Sequence, residues 1–141
     1  MEAQKQVLIA SSNLEMHKRL TLIFSPWHFD VLSCSSLKQT QEILVQRAVF
    51  LAFCEDRLPD GNYHELLTPA KQTTPNSRLV VVFRTPNNYE MKANAAIERG
   101  AYATIGPFSD DIEVESVIIR AIRDDGWSHT RAFDRFPAPA G

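Results

Sequence analysis

Glycine is scarce in this chain: there are five in 141 residues, all isolated, so no Gly-rich loop is available to cradle a nucleotide phosphate. The two cysteines, Cys34 and Cys54, are too few for a disulfide framework and have no metal-ligand spacing. His17, His28, His64 and His129 are scattered without i, i+4 pairing and read as surface side chains. No apolar run approaches the roughly 20 residues of a spanning helix, and the N-terminus shows no signal-peptide pattern. Nor is there an excess of one charge. Fifteen Lys and Arg against seventeen Asp and Glu leave a net charge of -2, which gives no electrostatic reason to expect nucleic acid or an anionic membrane as partner. Internal repeats are absent, and no Ser, His and acid combination can be assembled from spacing. These absences lead to the expectation of a cytoplasmic protein that is not an enzyme.

What remains is ordinary globular composition, 44% hydrophobic and 23% charged, in a length that suits one domain with a real core. Strand and helix signals alternate through it. Val7-Leu8-Ile9-Ala10 reads as a buried strand. Asn13 can cap a helix carrying Leu14, Leu20, Leu22, Ile23 and Phe24, which Pro26 ends. Phe29 to Cys34 reads as a second strand, and Ser35-Ser36 offers a cap for a helix running to Arg47. Ala48 to Cys54 is a third strand, followed by a Pro59-Asp60-Gly61 turn and a short helix around Tyr63 to Ala70. Leu79 to Phe83 is the clearest strand, because most of it is β-branched or aromatic. Pro86 to Arg99 reads as a helix, with Gly100 where a left-handed cap is wanted. Tyr102 to Ile105 is a fifth strand. Asp110 to Arg123 closes the pattern as an amphipathic helix bearing Ile112, Val114, Val117, Ile118, Ala121 and Ile122.

Five strands alternating with five helices argue for an α/β fold, a flavodoxin-like (βα)5 three-layer sandwich with a parallel sheet of order 2-1-3-4-5. Functional groups in such sheets gather at the carboxyl ends of the strands, beside the switch point between strands one and three. Ser11, Ser12 and Glu55 are thereby neighbours. Cys34 and Cys54 belong to strands two and three with strand one between them, so they are expected as free thiols. Residues 1–123 form the domain, and 124–141 read as an irregular tail holding Trp127, Phe133 and Phe136.

The segment Cys54-Glu55-Asp56-Arg57-Leu58-Pro59-Asp60-Gly61 resembles the end of the third strand of a response-regulator receiver domain of two-component signalling. Arg99-Gly100-Ala101-Tyr102 before the fifth strand and Pro107-Phe108 after it support the resemblance, which covers roughly Val7 to Ile122. It implies a phosphoacceptor position at Glu55, three residues before the Leu of the turn, with Asp56 as the alternative acceptor. The family's two acidic residues after strand one, which hold magnesium together with the acceptor, correspond to Ser11 and Ser12. Its hydroxyl residue at the end of strand four corresponds to Thr85, or to Arg84 if the strand slips by one. Its lysine corresponds to Gly106, and Tyr102 stands among its switch positions.

Two serines and a glutamate are poor ligands for a hard octahedral cation, so the magnesium site is expected to be lost and no other cofactor is expected. The expected function is that of a degenerate receiver, a pseudo-receiver acting through a protein partner or a homodimer on the helix four, strand five, helix five face. That face would include Tyr89, Met91, Lys92, Tyr102 and Pro107-Phe108. Arg84 could supply the cation that Gly106 cannot, and Asp56 reads as a loop carboxylate paired with Arg57. A receiver phosphorylated on Glu55 or Asp56 is the alternative, and a flavodoxin-like cofactor protein or small enzyme a further one.

Overall fold

Five short, β-branched apolar runs build one parallel sheet: β1 (Gln6–Ala10), β2 (Asp30–Cys34), β3 (Val49–Glu55), β4 (Arg78–Val82) and β5 (Ala103–Ile105), in the order β2-β1-β3-β4-β5. The computed structural model describes residues 5–67 and 78–125. The expected aromatic tail lies, from residue 126 on, outside the described residues, as does the end of the expected helix to Ala70. Helices α1 (Leu14–Phe24), α2 (Leu37–Gln46), α3 (described for residues 64–67), α4 (Tyr89–Glu98) and α5 (Asp111–Asp124) cover both faces. A miniature antiparallel ladder, Arg57–Leu58 with Gly61–Asn62, closes the turn after β3.

The period of two along each strand divides the core into two layers. Val7 and Ile9, Leu51 and Phe53, Val80 and Val82 face α1 and α5, where they meet Leu20, Phe24, Ile118 and Ile122. Leu8 and Ala10, Ala52 and Cys54, Leu79 and Val81 face the other way, toward Leu37, Leu44, Leu66 and Ala96. Because both faces are covered, all seven residues of β3 are buried, and its sequence shows no polar alternation until Glu55.

The helices begin and end where local chemistry dictates. The side chain of Asn13 accepts the N–H of Glu15, that of Ser36 the N–H of Gln39, and that of Asp110 the N–H of Glu113. The end of α4 is a Schellman motif: Gly100 at φ +112° lets its own N–H reach the carbonyl of Ile97 while Ala101 N–H reaches Ala96. α4 starts three residues later than expected from Pro86. Asn88, at φ +54°, turns the chain before the helix begins. Not every apolar helix residue lies on the core face: Leu14, Leu22 and Ile112 are exposed.

A second carboxylate acts as a cap across the fold. Asp60, in the turn after β3, accepts the N–H groups of Leu37 (2.6 Å) and Lys38 (3.0 Å) at the start of α2. These two backbone bonds hold its pKa below the ordinary carboxylate value. A depressed folded-state pKa contributes stability above the unfolded value and loses it as pH falls through the folded one. Asp60→Ala should therefore lower the melting temperature at neutral pH. Its deficit against the parent should shrink as acid protonates the carboxylate, measured by thermal denaturation from pH 7 down to about pH 3.

Ala10 pairs with Cys34 on one side and Cys54 on the other, which puts their Cα atoms two strand steps apart, about 9.6 Å. A disulfide tolerates no more than about 7 Å between Cα atoms. Both cysteines are free and buried, and burial raises the pKa of each. Neither should react with an alkylating reagent at pH 8 in the native protein, whereas both should be labelled in denaturant, as read by intact mass.

Candidate functional site

The alternation that fills the core also builds the crevice. Continuing each strand by its period of two puts Ser11 after Val7 and Ile9, Glu55 after Leu51 and Phe53, and Arg84 after Val80 and Val82 on one face. Thr85 falls on the opposite parity. The contacts follow this parity. Ser11 Oγ donates to Glu55 Oε1 at 2.6 Å, Ser12 N–H donates to the same oxygen at 3.0 Å, and Arg84 Nε stands 3.1 Å from Oε2. Arg84 and Thr85 are both exposed, and it is Arg84 that reaches Glu55 from the end of β4.

Glu55 is 1% exposed, while the Arg84 side chain is 48% exposed. The carboxylate is thus a buried charge compensated from the protein rim. Oε1 takes two hydrogen bonds. Oε2 takes none of good geometry among the described residues and relies on the guanidinium for compensation. Ser12 contributes only its backbone, since its side chain is exposed. Ser11 is itself fixed: its Oγ accepts Asn13 N–H at 2.9 Å, and its carbonyl accepts His17 Nε2 at 2.7 Å.

Asp56 does not pair with Arg57. Its Oδ1 accepts the backbone N–H of Arg84 at 3.3 Å, and its own N–H donates to Val82 O at 2.8 Å. Arg84 is therefore held twice, by side chain to Glu55 and by backbone to Asp56. This second tie carries no sequence signal, because it depends on how the chain leaves the sheet.

Around Gly106 a different group has moved in. The ring of Tyr89 lies so close that a Cβ on Gly106 would come within 2.9–3.2 Å of its carbons. Tyr89 Oη also pairs with Thr104 Oγ1 at 3.2 Å, and its ring meets Phe83 edge-on at 5.6 Å. Tyr89 is half-buried: it packs against Gly106 and Phe83 and also lines a groove on this side. Tyr102 is likewise half-buried, its Oη bonded to Asp124 and Arg120 of α5 with the Arg120 guanidinium over its ring. Phe108 is the opposite case at 84% exposed, and Met91 is 70% exposed. A groove lined by Pro86, Tyr89, Met91, Pro107 and Phe108 separates them. A glycine facing an aromatic at the start of α4 is the only sequence sign of the Tyr89 packing.

No family model matches the sequence, and no curated protein matches it either. Solved structures do. A CheY-like response regulator receiver domain from Methanospirillum hungatei JF-1 superposes with a TM-score of 0.75 at 17% identity, over 88% of this chain and 98% of that one. The signal receiver domain of an HD domain-containing protein from Pseudomonas fluorescens Pf-5 gives 0.77 at 21%, over 93% and 96%. An orphan response regulator of H. pylori gives 0.72 at 18%, over 87% and 100%. The fold is the receiver fold. Within it, the crevice of this chain presents an ion pair and a serine at the carboxyl ends of β1, β3 and β4, the switch region of the sheet.

Removing one donor from a buried charge leaves it undercompensated, which typically costs about 1.5–3 kcal/mol for a bond to a charged group. Ser11→Ala should destabilise the protein by that amount in urea denaturation, with an unchanged m-value.

Proposed function

We propose that this chain is a receiver-like module of a two-component signalling pathway that has given up phosphoacceptor chemistry and acts through protein–protein contact, without being an enzyme. The observation that carries the reading is the Glu55–Arg84 ion pair. The carboxylate at the acceptor position is buried, longer by one methylene than aspartate, and engaged on both oxygens by Ser11, Ser12 and Arg84. A nucleophile in that state would have to shed a cation and two hydrogen bonds before attacking a phosphoryl group, and positioning governs such transfers.

The residues present do not fit magnesium. The ion wants hard anionic oxygen in octahedral geometry. Ser11 and Ser12 provide none, Glu55 already faces a guanidinium, and among the described residues no group of three His, Cys, Asp or Glu side chains is placed to hold a metal ion. We therefore assign no cofactor. No helix among the described residues is long and apolar enough to cross a membrane. For partner binding, the groove flanked by Met91 and Phe108 is an exposed apolar feature between α4 and the end of β5, of a composition enriched at interfaces, and it would serve a signalling partner or a second copy.

Incubation with a small-molecule phosphodonor and magnesium, read by intact mass, tests the reading. No phosphoryl adduct is expected. An adduct that disappears in Asp56→Asn or Glu55→Gln would replace it with an atypical phosphorylatable receiver.

A further inference from the structure

Strand ends and loops meet at residues 83–89, tied by both side chains and backbone groups. Phe83 N–H donates to Ile105 O at 2.8 Å, anchoring the segment to β5. The Phe83 ring stands edge-on to Tyr63 and to Tyr89. Arg84 is pinned to the last residue of β3 and the one after it, its side chain to Glu55 and its backbone to Asp56. Five residues on, Tyr89 fills the room beside Gly106 and pairs with Thr104. Pro86 between them removes a further degree of freedom.

A loop tied at both ends to buried partners has few alternative arrangements, since leaving this one exposes a carboxylate that is 1% accessible. A switch needs two arrangements with different contacts. Here Ser11, the Ser12 N–H and Arg84 compensate the carboxylate of one arrangement from within the chain.

We infer that Arg84 is the pin of a built-in clasp, in which the Glu55–Arg84 ion pair and the Tyr89 ring packed against Gly106 together hold residues 83–91, and hence the groove flanked by Met91 and Phe108, in a single arrangement independent of any phosphoryl group. This inference takes the meaning of the groove from the function proposed above, but the clasp itself stands on the contacts alone. Arg84 is a positioning residue: it touches Glu55 and the loop and, through them, sets where α4 begins.

Amide hydrogen exchange of the full chain, without phosphodonor, tests it. In Glu55→Gln, which keeps the shape of the side chain, and in Arg84→Gln, exchange across residues 83–91 should rise on the order of tenfold, with the β1–β2 ladder at parental rates. The double variant should be no faster than either single one, because both remove the same pin. Gly106→Ala displaces the Tyr89 ring while leaving the ion pair, and should loosen the same segment, providing a second route should one ion-pair variant fail to fold. Parental exchange at 83–91 in the ion-pair variants would overturn the clasp, as would additive effects in the double variant. A chain that accepted a phosphoryl group yet showed the linked exchange would lose the proposed function and keep the clasp, so the two failures are separable.

Discussion

A single buried carboxylate organises the carboxyl end of this sheet. Glu55 ends a strand whose preceding residues are all apolar, and continuation of the strand's alternation carries it below the surface with Leu51 and Phe53. A charge there is tolerable only if neighbours compensate it. Ser11 from the end of β1 and Arg84 from the end of β4 do so, and the three strand ends are thereby drawn to one point. The loops that follow those strands inherit their starting positions from this point, which is why the crevice and the start of α4 are parts of one arrangement.

Elsewhere, the molecule is held by apolar layering and by polar groups at helix ends. The sheet is covered on both faces, so its strands carry almost no polar information, and specificity comes from the capping residues. Asp60 links the turn after β3 to the first turn of α2 across the fold, and the Gly100 cap delivers the chain into β5 in the geometry that places Thr104 beneath Tyr89. Each of these ties is made from short polar side chains or backbone groups whose positions the packed layers have already set.

The superposition on receiver structures concerns architecture at low identity, and architecture does not carry chemistry with it. In this chain the Glu55 carboxylate lies against the Arg84 guanidinium, and the Tyr89 ring lies against Gly106.

The α/β class was legible in the chain, because it depends on the alternation of short apolar runs with amphipathic helical stretches; the strand order, and with it the separation of the two cysteines, came with the resemblance to receiver domains. Given that order, the sequence also determined the gathering of Ser11 and Glu55, since both end strands that must be neighbours in it. It could not choose between Thr85 and Arg84, because one residue of register reverses the face and nothing local marks where β4 leaves the sheet; the packed parity of Val80 and Val82 decided for Arg84. Tertiary structure alone packed Tyr89 against Gly106 and Tyr102 against α5, left Phe108 outside and gave Asp56 to a backbone N–H in place of Arg57. Those outcomes rest on which vacant volumes and unpaired groups lie nearby after the layers close, and such neighbours are set by residues far away in the chain.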